Sequence, residues 1–214
     1  MRKSTLSGLY AITPDFADTP ALIRAVTAVL DGGCRLLQYR NKTADDTLRH
    51  AQATALQAIC TAYGARLMIN DDITLAESVG AAGVHLGQDD GEVAFARKML
   101  GKVAIIGASC YNDFARAERA AAAGASYIAF GAVYASPSKP RAPLAPHTLI
   151  ARAHAKLPLP VCVIGGITLA NAAPLVAAGA NLLAVISDLF QLTPTQMTQR
   201  AAAYQKLFQG EFPT

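Results

Sequence analysis

The chain has 214 residues, 52% of them hydrophobic and 16% charged, with a net charge of +4. That length holds one full-sized core, and the apolar content excludes a disordered chain. The modest charge, with no basic run or aromatic stacking platform, points to anionic small ligands and away from nucleic acid. No charge-free apolar stretch reaches membrane-spanning length, and Leu9–Ile12 is too short for a secretory core, so a soluble cytoplasmic protein is expected.

Apolar runs of strand length alternate with Ala-rich helical patterns from end to end. The expected strands are 8–13, 36–40, 66–70, 84–86, 104–108, 127–130, 161–164 and 182–185. Helical patterns over 20–31, 44–63, 73–79, 92–100, 113–123, 147–156 and 171–178 lie between them, and one over 194–208 follows the last strand. Glycines recur just past helix ends, in Asp31-Gly32-Gly33, Val79-Gly80, Ala123-Gly124 and Ala178-Gly179, where a left-handed turn leads back to a strand. Strict alternation of strand and helix means a parallel sheet with helices outside it. Eight such units fit an α/β fold of one domain over 1–214, a closed (β/α)8 TIM barrel, with an open doubly wound sheet as the alternative. Thr13-Pro14-Asp15 stands where a dinucleotide-binding sheet would carry GxGxxG, which counts against the alternative. Cys34, Cys60, Cys110 and Cys162 are scattered without a CxxC pair, the pattern of buried reduced thiols.

In such a barrel the loops after the strands carry function, so each strand end is informative. Met68-Ile69-Asn70-Asp71-Asp72 and Val84-His85-Leu86-Gly87-Gln88-Asp89-Asp90 are apolar runs that stop abruptly in carboxylates. Carboxylates converging on one mouth are costly unless a cation such as Mg²⁺ shares them, but the same residues serve equally well as caps of the helices that follow. On strand 2, period-two alternation puts Leu37 and Tyr39 against helices and sends Gln38, Arg40 and Lys42 into the mouth, a basic set suited to a diphosphate. Ser109 ends strand 5 with no histidine near it in sequence, which favours hydrogen bonding over nucleophilic attack. His85, inside strand 4, reads more readily as a packing histidine than as a catalytic one. The long loop 135–143 holds Ser136, Ser138, Lys139 and Arg141 among three prolines. Gly165-Gly166 after strand 7 and Ile186-Ser187 after strand 8 stand where barrels hold phosphate, although the glycines also suit a plain tight turn.

Taken together, these pieces resemble the thiamine-phosphate synthase family over nearly the whole chain. The resemblance runs through Leu9-Tyr10-Ala11-Ile12-Thr13, Gln38-Tyr39-Arg40-Asn41-Lys42, Asn70-Asp71 and Gly83 to Asp90. It continues through Ser109, Ser136-Pro137-Ser138-Lys139, Ile164-Gly165-Gly166-Ile167 and Ile186-Ser187. It implies that a hydroxymethylpyrimidine diphosphate loses pyrophosphate and that a thiazole-phosphate nitrogen attacks the resulting methylene cation. The segment Gln38 to Lys42, Tyr39 and Asn41 included, would hold the pyrimidine diphosphate together with Asn70, and Ser109 would contact the pyrimidine. Asp71 and Asp90 would hold Mg²⁺, leaving Asp72 and Asp89 as caps or supporting groups. The segment Ser136-Pro137-Ser138, with Gly166, Ile186 and Ser187, would bind the thiazole phosphate, and Lys139 would reach the departing pyrophosphate. Arg40, Lys42, Ser109 and Lys139 would be the catalytic set. Where the family usually has Thr-x-Thr-Lys, this chain reads Ser136-Pro137-Ser138-Lys139, a loss of two methyl groups on the thiazole side. A thiazole tautomerase relative would lack the metal carboxylates and basic strand 2, and a phosphate sensor would need no leaving-group machinery. The implied partners are small molecules, with no nucleic acid and no membrane. A homo-oligomer is compatible with the pattern and not indicated by it.

Overall fold

Each short apolar run forms one strand, and the eight strands pair in parallel, in sequence order, until β8 meets β1. The structure is a computed structural model and describes residues 6–87, 92–135 and 144–210. The strands are β1 (Gly8–Ile12), β2 (Leu36–Tyr39), β3 (Arg66–Asn70), β4 (Gly83–Leu86), β5 (Ile105–Tyr111), β6 (Tyr127–Gly131), β7 (Val161–Ile164) and β8 (Leu182–Val185). The helices are α1 (Thr19–Asp31), α2 (Asp46–Ala62), α3 (Ile73–Ser78), α4 (Val93–Leu100), α5 (Phe114–Ala122), α6 (His147–Lys156), α7 (Ala173–Ala177), α8 (Ser187–Phe190) and α9 (Pro194–Leu207). The closed order settles the fold as the TIM barrel and excludes the open sheet.

Three details depart from the pattern read in the sequence. β5 runs on to Tyr111, because its pairing with β6 shifts register between Ser109 and Tyr111. Ser109 therefore lies within a strand, and the cap of α5 is Asp113, which accepts from the Arg116 amide at 3.2 Å. The helix expected over 171–178 is split into a 3₁₀ turn at Leu169–Asn171 and α7, whose first turn carries Pro174. α8 has only four residues, too few to leave a periodic signal.

Two apolar layers form because alternate strand residues face opposite ways. Tyr10, Leu36, Met68, Tyr127, Cys162 and Leu182 fill the inside of the barrel. Leu9, Leu37, Tyr39, Ile69, Val84 and Phe130 face outward into the helices. α1 buries Leu22, Val26, Val29 and Leu30 on one stripe. α9 locks onto α1 so closely that a side chain on Gly32 would come within 2.4 Å of the Thr198 carbonyl oxygen. Gln205 on α9 donates to the Gly33 carbonyl at 2.8 Å and ties this helix to the start of the barrel. All four cysteines are buried free thiols, and burial pushes Cys60 up to about 12 and Cys110 up to about 11. Among the described residues no helix is long and apolar enough to cross a membrane.

The face opposite the strand ends is held by Arg97 on α4. Its guanidinium donates to the carbonyls of Gly101, Ala104 and Gly124 and to the Ser126 hydroxyl, at 2.7–3.2 Å. Charge-assisted bonds to backbone oxygens are strong, and this face of a barrel serves stability rather than chemistry. Arg97→Met, which keeps the aliphatic stem, should lower unfolding stability by roughly 2–3 kcal/mol in denaturant melts while leaving kcat at 25 °C within about twofold.

Candidate active site

The rim formed by the C-terminal ends of β1 to β5 is built by a few short-range bonds. Thr13, fully buried after β1, donates its hydroxyl to the Arg40 carbonyl at 3.0 Å and accepts the Arg40 amide at 2.9 Å. Asp15 then takes both the Arg40 guanidinium at 3.2 Å and the Lys42 amide at 2.9 Å. The first strand end thus holds the second in an open curve with its cations on the mouth side.

Period-two alternation on β2 holds in the structure. Leu37 and Tyr39 pack into the outer layer, and Tyr39 donates its hydroxyl to Gln52 on α2 at 2.8 Å. Gln38 turns inward, buried, with its amide donating to the Tyr10 hydroxyl at 2.6 Å. Asn41 is consumed by the framework. It donates to the Phe16 carbonyl at 2.7 Å and to Gln52 at 3.1 Å, and it accepts the amides of Thr43 and Ala44. Arg40, Lys42, Arg49, Asn70, Asp71 and Asp72 meet in one cleft of about 390 Å³.

Geometry separates the two carboxylates that spacing left equivalent. Asp72 accepts the Leu75 amide at 2.8 Å as the cap of α3, and its other oxygen pairs with Arg49. Asp71 faces the cleft, with its carboxylate accepting from the Asn70 side-chain amide and lying 4.0 Å from the Lys42 ammonium. The backbone of Asp71 is left-handed, at φ 66, and its amide is fixed by the His85 carbonyl at 2.8 Å. A non-glycine residue there is strained, a condition that persists at sites where geometry matters more than stability. Asp89 and Asp90 lie outside the described residues, as do Gln88, Ser136, Pro137, Ser138, Lys139 and Arg141. Among the described residues no three His, Cys, Asp or Glu side chains gather as a metal cage. The oxygen donors at Asp71 and Asn70, beside cations that would take phosphate, suit Mg²⁺, which takes few protein ligands and completes its shell with phosphate and water.

The sequence placed no histidine near Ser109, but adjacent strands correct that picture. His85 on β4 lies with Nε2 2.9 Å from the Ser109 hydroxyl and Nδ1 2.8 Å from the Tyr127 hydroxyl. Tyr127 in turn meets the Tyr10 hydroxyl at 2.9 Å. Burial raises both phenols above the usual tyrosine range, so they stay neutral. A serine–histidine pair completed by a neutral phenol lacks the carboxylate that stabilises an imidazolium during nucleophilic attack. His85 is thus a packed, hydrogen-bonded residue, and Ser109 is a hydrogen-bonding group.

On the far side of the rim, Gly165 and Gly166 both take positive φ, at 105 and 64. A side chain on Gly165 would come within 2.6 Å of the Ala132 side chain, so close packing on the loop after β6 already requires glycine there. Ile186 precedes α8 and Ser187 opens it. Asp188 joins the loops after β7 and β8: it accepts the Leu169 amide at 3.1 Å and the Tyr204 hydroxyl at 2.7 Å, and pairs with Arg200. Arg49, Asp15, Asp188 and Arg200 were not singled out in the sequence, because each lies in a helix or loop whose pattern reads as solvated surface.

Comparison with known proteins fits this geometry. Residues 9–189 match the family model described as thiamine monophosphate synthase. A thiamine-phosphate synthase of Azoarcus sp. is 53% identical, over 95% of this chain and 98% of its own length. A thiamine-phosphate synthase of Thiobacillus denitrificans is 48% identical, over 95% of this chain and 96% of its own. A solved thiamine phosphate pyrophosphorylase of Pyrococcus furiosus superposes with a TM-score of 0.83 at 26% identity, covering 95% of this chain and 96% of that one. The chain belongs to the thiamine monophosphate synthase family.

Proposed function

We propose that the chain, as one catalytic domain over 1–214, joins a hydroxymethylpyrimidine diphosphate to a thiazole phosphate, releasing thiamine phosphate and pyrophosphate. The bond between the methylene carbon and the diphosphate oxygen breaks, and its electron pair leaves with pyrophosphate. The thiazole nitrogen then supplies the pair for the new carbon–nitrogen bond. The observation that carries this reading is the single cleft in which Arg40, Lys42 and Arg49 converge beside Asp71.

A displacement of this kind needs no nucleophilic side chain and no general base. It needs charge neutralisation as pyrophosphate departs, and a thiazole already in line. Arg40, preset by Thr13 and Asp15, offers a planar fork for a diphosphate, and Lys42 adds a point charge beside it. Gln38, Asn70 and Ser109 would contact the pyrimidine end, with Tyr39 and Asn41 both braced on Gln52 to hold the end of β2. Asp71, with Asp90, would hold Mg²⁺, which supplies positive charge to the leaving group when bound. Gly166, Ile186 and Ser187 would hold the thiazole phosphate, helped by Ser136 and Ser138 flanking Pro137, and Lys139 would reach the pyrophosphate. On this reading the enzyme works in the cytoplasm on small phosphorylated molecules, without nucleic-acid or membrane partners.

Supplied with both substrates and Mg²⁺, the purified protein should yield thiamine phosphate and pyrophosphate in equal amounts, and a chelator should abolish the reaction. Absence of product with both substrates and metal present would reject the synthase reading. Two neighbouring substitutions should separate by role. Asp71→Asn, whose side chain tolerates the same backbone, should keep the melting temperature and raise the Mg²⁺ needed for half-maximal rate at least about tenfold. Asp72→Ala should cost about 1–2 kcal/mol of stability through the lost cap and leave the Mg²⁺ requirement within about threefold. Equal Mg²⁺ requirements in wild type and Asp71→Asn would remove Asp71 from the metal.

A further inference from the structure

Five side chains from five strands form one continuous hydrogen-bonded chain across the interior of the barrel. Gln38 Nε2 donates to Tyr10 Oη at 2.6 Å, and Tyr10 Oη lies 2.9 Å from Tyr127 Oη. Tyr127 Oη lies 2.8 Å from His85 Nδ1, and His85 Nε2 lies 2.9 Å from Ser109 Oγ. Its two ends are the residues placed above on the pyrimidine half, and this inference rests on that placement.

The chain has a direction, because an amide nitrogen only donates. Tyr10 accepts from Gln38, and the Tyr127 oxygen is the acceptor within reach of the buried Tyr10 hydrogen; with the Tyr10 hydrogen sent there, Tyr127 sends its own to His85 Nδ1. The imidazole must then carry its hydrogen on Nε2 and give it to Ser109. Ser109, having accepted, is left with a hydroxyl hydrogen to present to the mouth. Both phenols are fully buried and held neutral, so neither link is exchanged for water.

The backbone makes room for the central link. A side chain on Gly107 of β5 would lie 2.2 Å from the Tyr127 hydroxyl and 2.6 Å from His85 Nδ1. Any larger residue there would drive those two groups apart. The rings of His85 and Tyr127 stack at 5.6 Å with 21° between planes, and Tyr10 meets Tyr127 edge-on at 5.8 Å. Packing therefore fixes the rings before any ligand arrives.

We propose that His85, set by Tyr127 and Tyr10, is a positioning residue that fixes Ser109 as a hydrogen donor, so that the atom Ser109 meets on the pyrimidine is an acceptor. A pyrimidine ring nitrogen has that character, and an amino substituent on the ring would not. The chain also couples Gln38 to Ser109: a change in the Gln38 amide orientation would reverse every hydrogen between them.

The test has two arms. Nitrogen-15 NMR on the resting wild-type protein, with His85 assigned by its loss in His85→Gln, should show a neutral ring protonated at Nε2. A ring protonated at Nδ1, or at both nitrogens, would overturn the inference. This arm needs no turnover, so it separates failure of this inference from failure of the synthase reading. In the second arm, Tyr127→Phe is measured in wild type and in Ser109→Ala. It should lower kcat/KM for the pyrimidine diphosphate roughly three- to tenfold in the wild-type background, leave KM for the thiazole phosphate unmoved, and cost less than about twofold when Ser109 is already gone. A purely structural role predicts the same loss in both backgrounds, and that result would also overturn the proposal. Tyr10→Phe, one link further away, should repeat the pattern with a smaller effect.

Discussion

Eight strands that all run one way and close on themselves must end at a common rim, so groups scattered through the sequence are forced to face one another. Arg40 and Lys42 follow β2, Asp71 follows β3, and His85 and Ser109 meet across β4 and β5. Parallel pairing in a closed barrel puts every strand-to-helix loop at that rim and every helix-to-strand loop at the opposite face. The tight joint of α9 on α1, with Gln205 donating to the Gly33 carbonyl and accepting the Leu9 amide at 3.4 Å, packs the last helix against the first strand. The chemistry at the rim is therefore inherited from closure, and it is as precise as the strand register.

Charge at that rim is arranged in pairs. Arg40 pairs with Asp15, Lys42 approaches Asp71, and Arg49 pairs with Asp72. The Arg40 and Asp15 side chains are 31% and 33% exposed, so water weakens their attraction. The proposed diphosphate would bring more negative charge than a single carboxylate and would draw these cations away at little cost. The carboxylates keep the cations oriented in the meantime. Asp72 and Asp71 divide the work: one carries the fold through α3, and the other sits in a strained backbone conformation facing the cleft.

Much of this was legible in the sequence, for reasons that can be named. Alternation on 36–40 placed Leu37 and Tyr39 outside and Gln38 inside, because a strand has a strict period of two. The repeated glycine after helix ends announced the parallel units; at Gly179 the backbone indeed turns at φ 102. What the sequence hid were contacts made by closure itself. His85 and Ser109 are 24 positions apart but hydrogen-bonded, since β4 and β5 lie side by side. Arg49 was invisible for another reason: its helix is amphipathic, and a cation on the polar face looks the same whether it meets solvent or a neighbouring carboxylate. The register shift that carries β5 to Tyr111 also leaves no trace in hydrophobic pattern.

If this rim is, as proposed, a diphosphate site assembled by β2 cations and a metal carboxylate, calorimetric titration of inorganic pyrophosphate into the resting protein, with and without Mg²⁺, reads it without turnover. Binding should depend on Mg²⁺ and weaken by at least about tenfold in Arg40→Ala, the loss expected for one charge-assisted contact. Pyrophosphate binding of equal strength in wild type and Arg40→Ala, or binding indifferent to Mg²⁺, would rule the diphosphate site out.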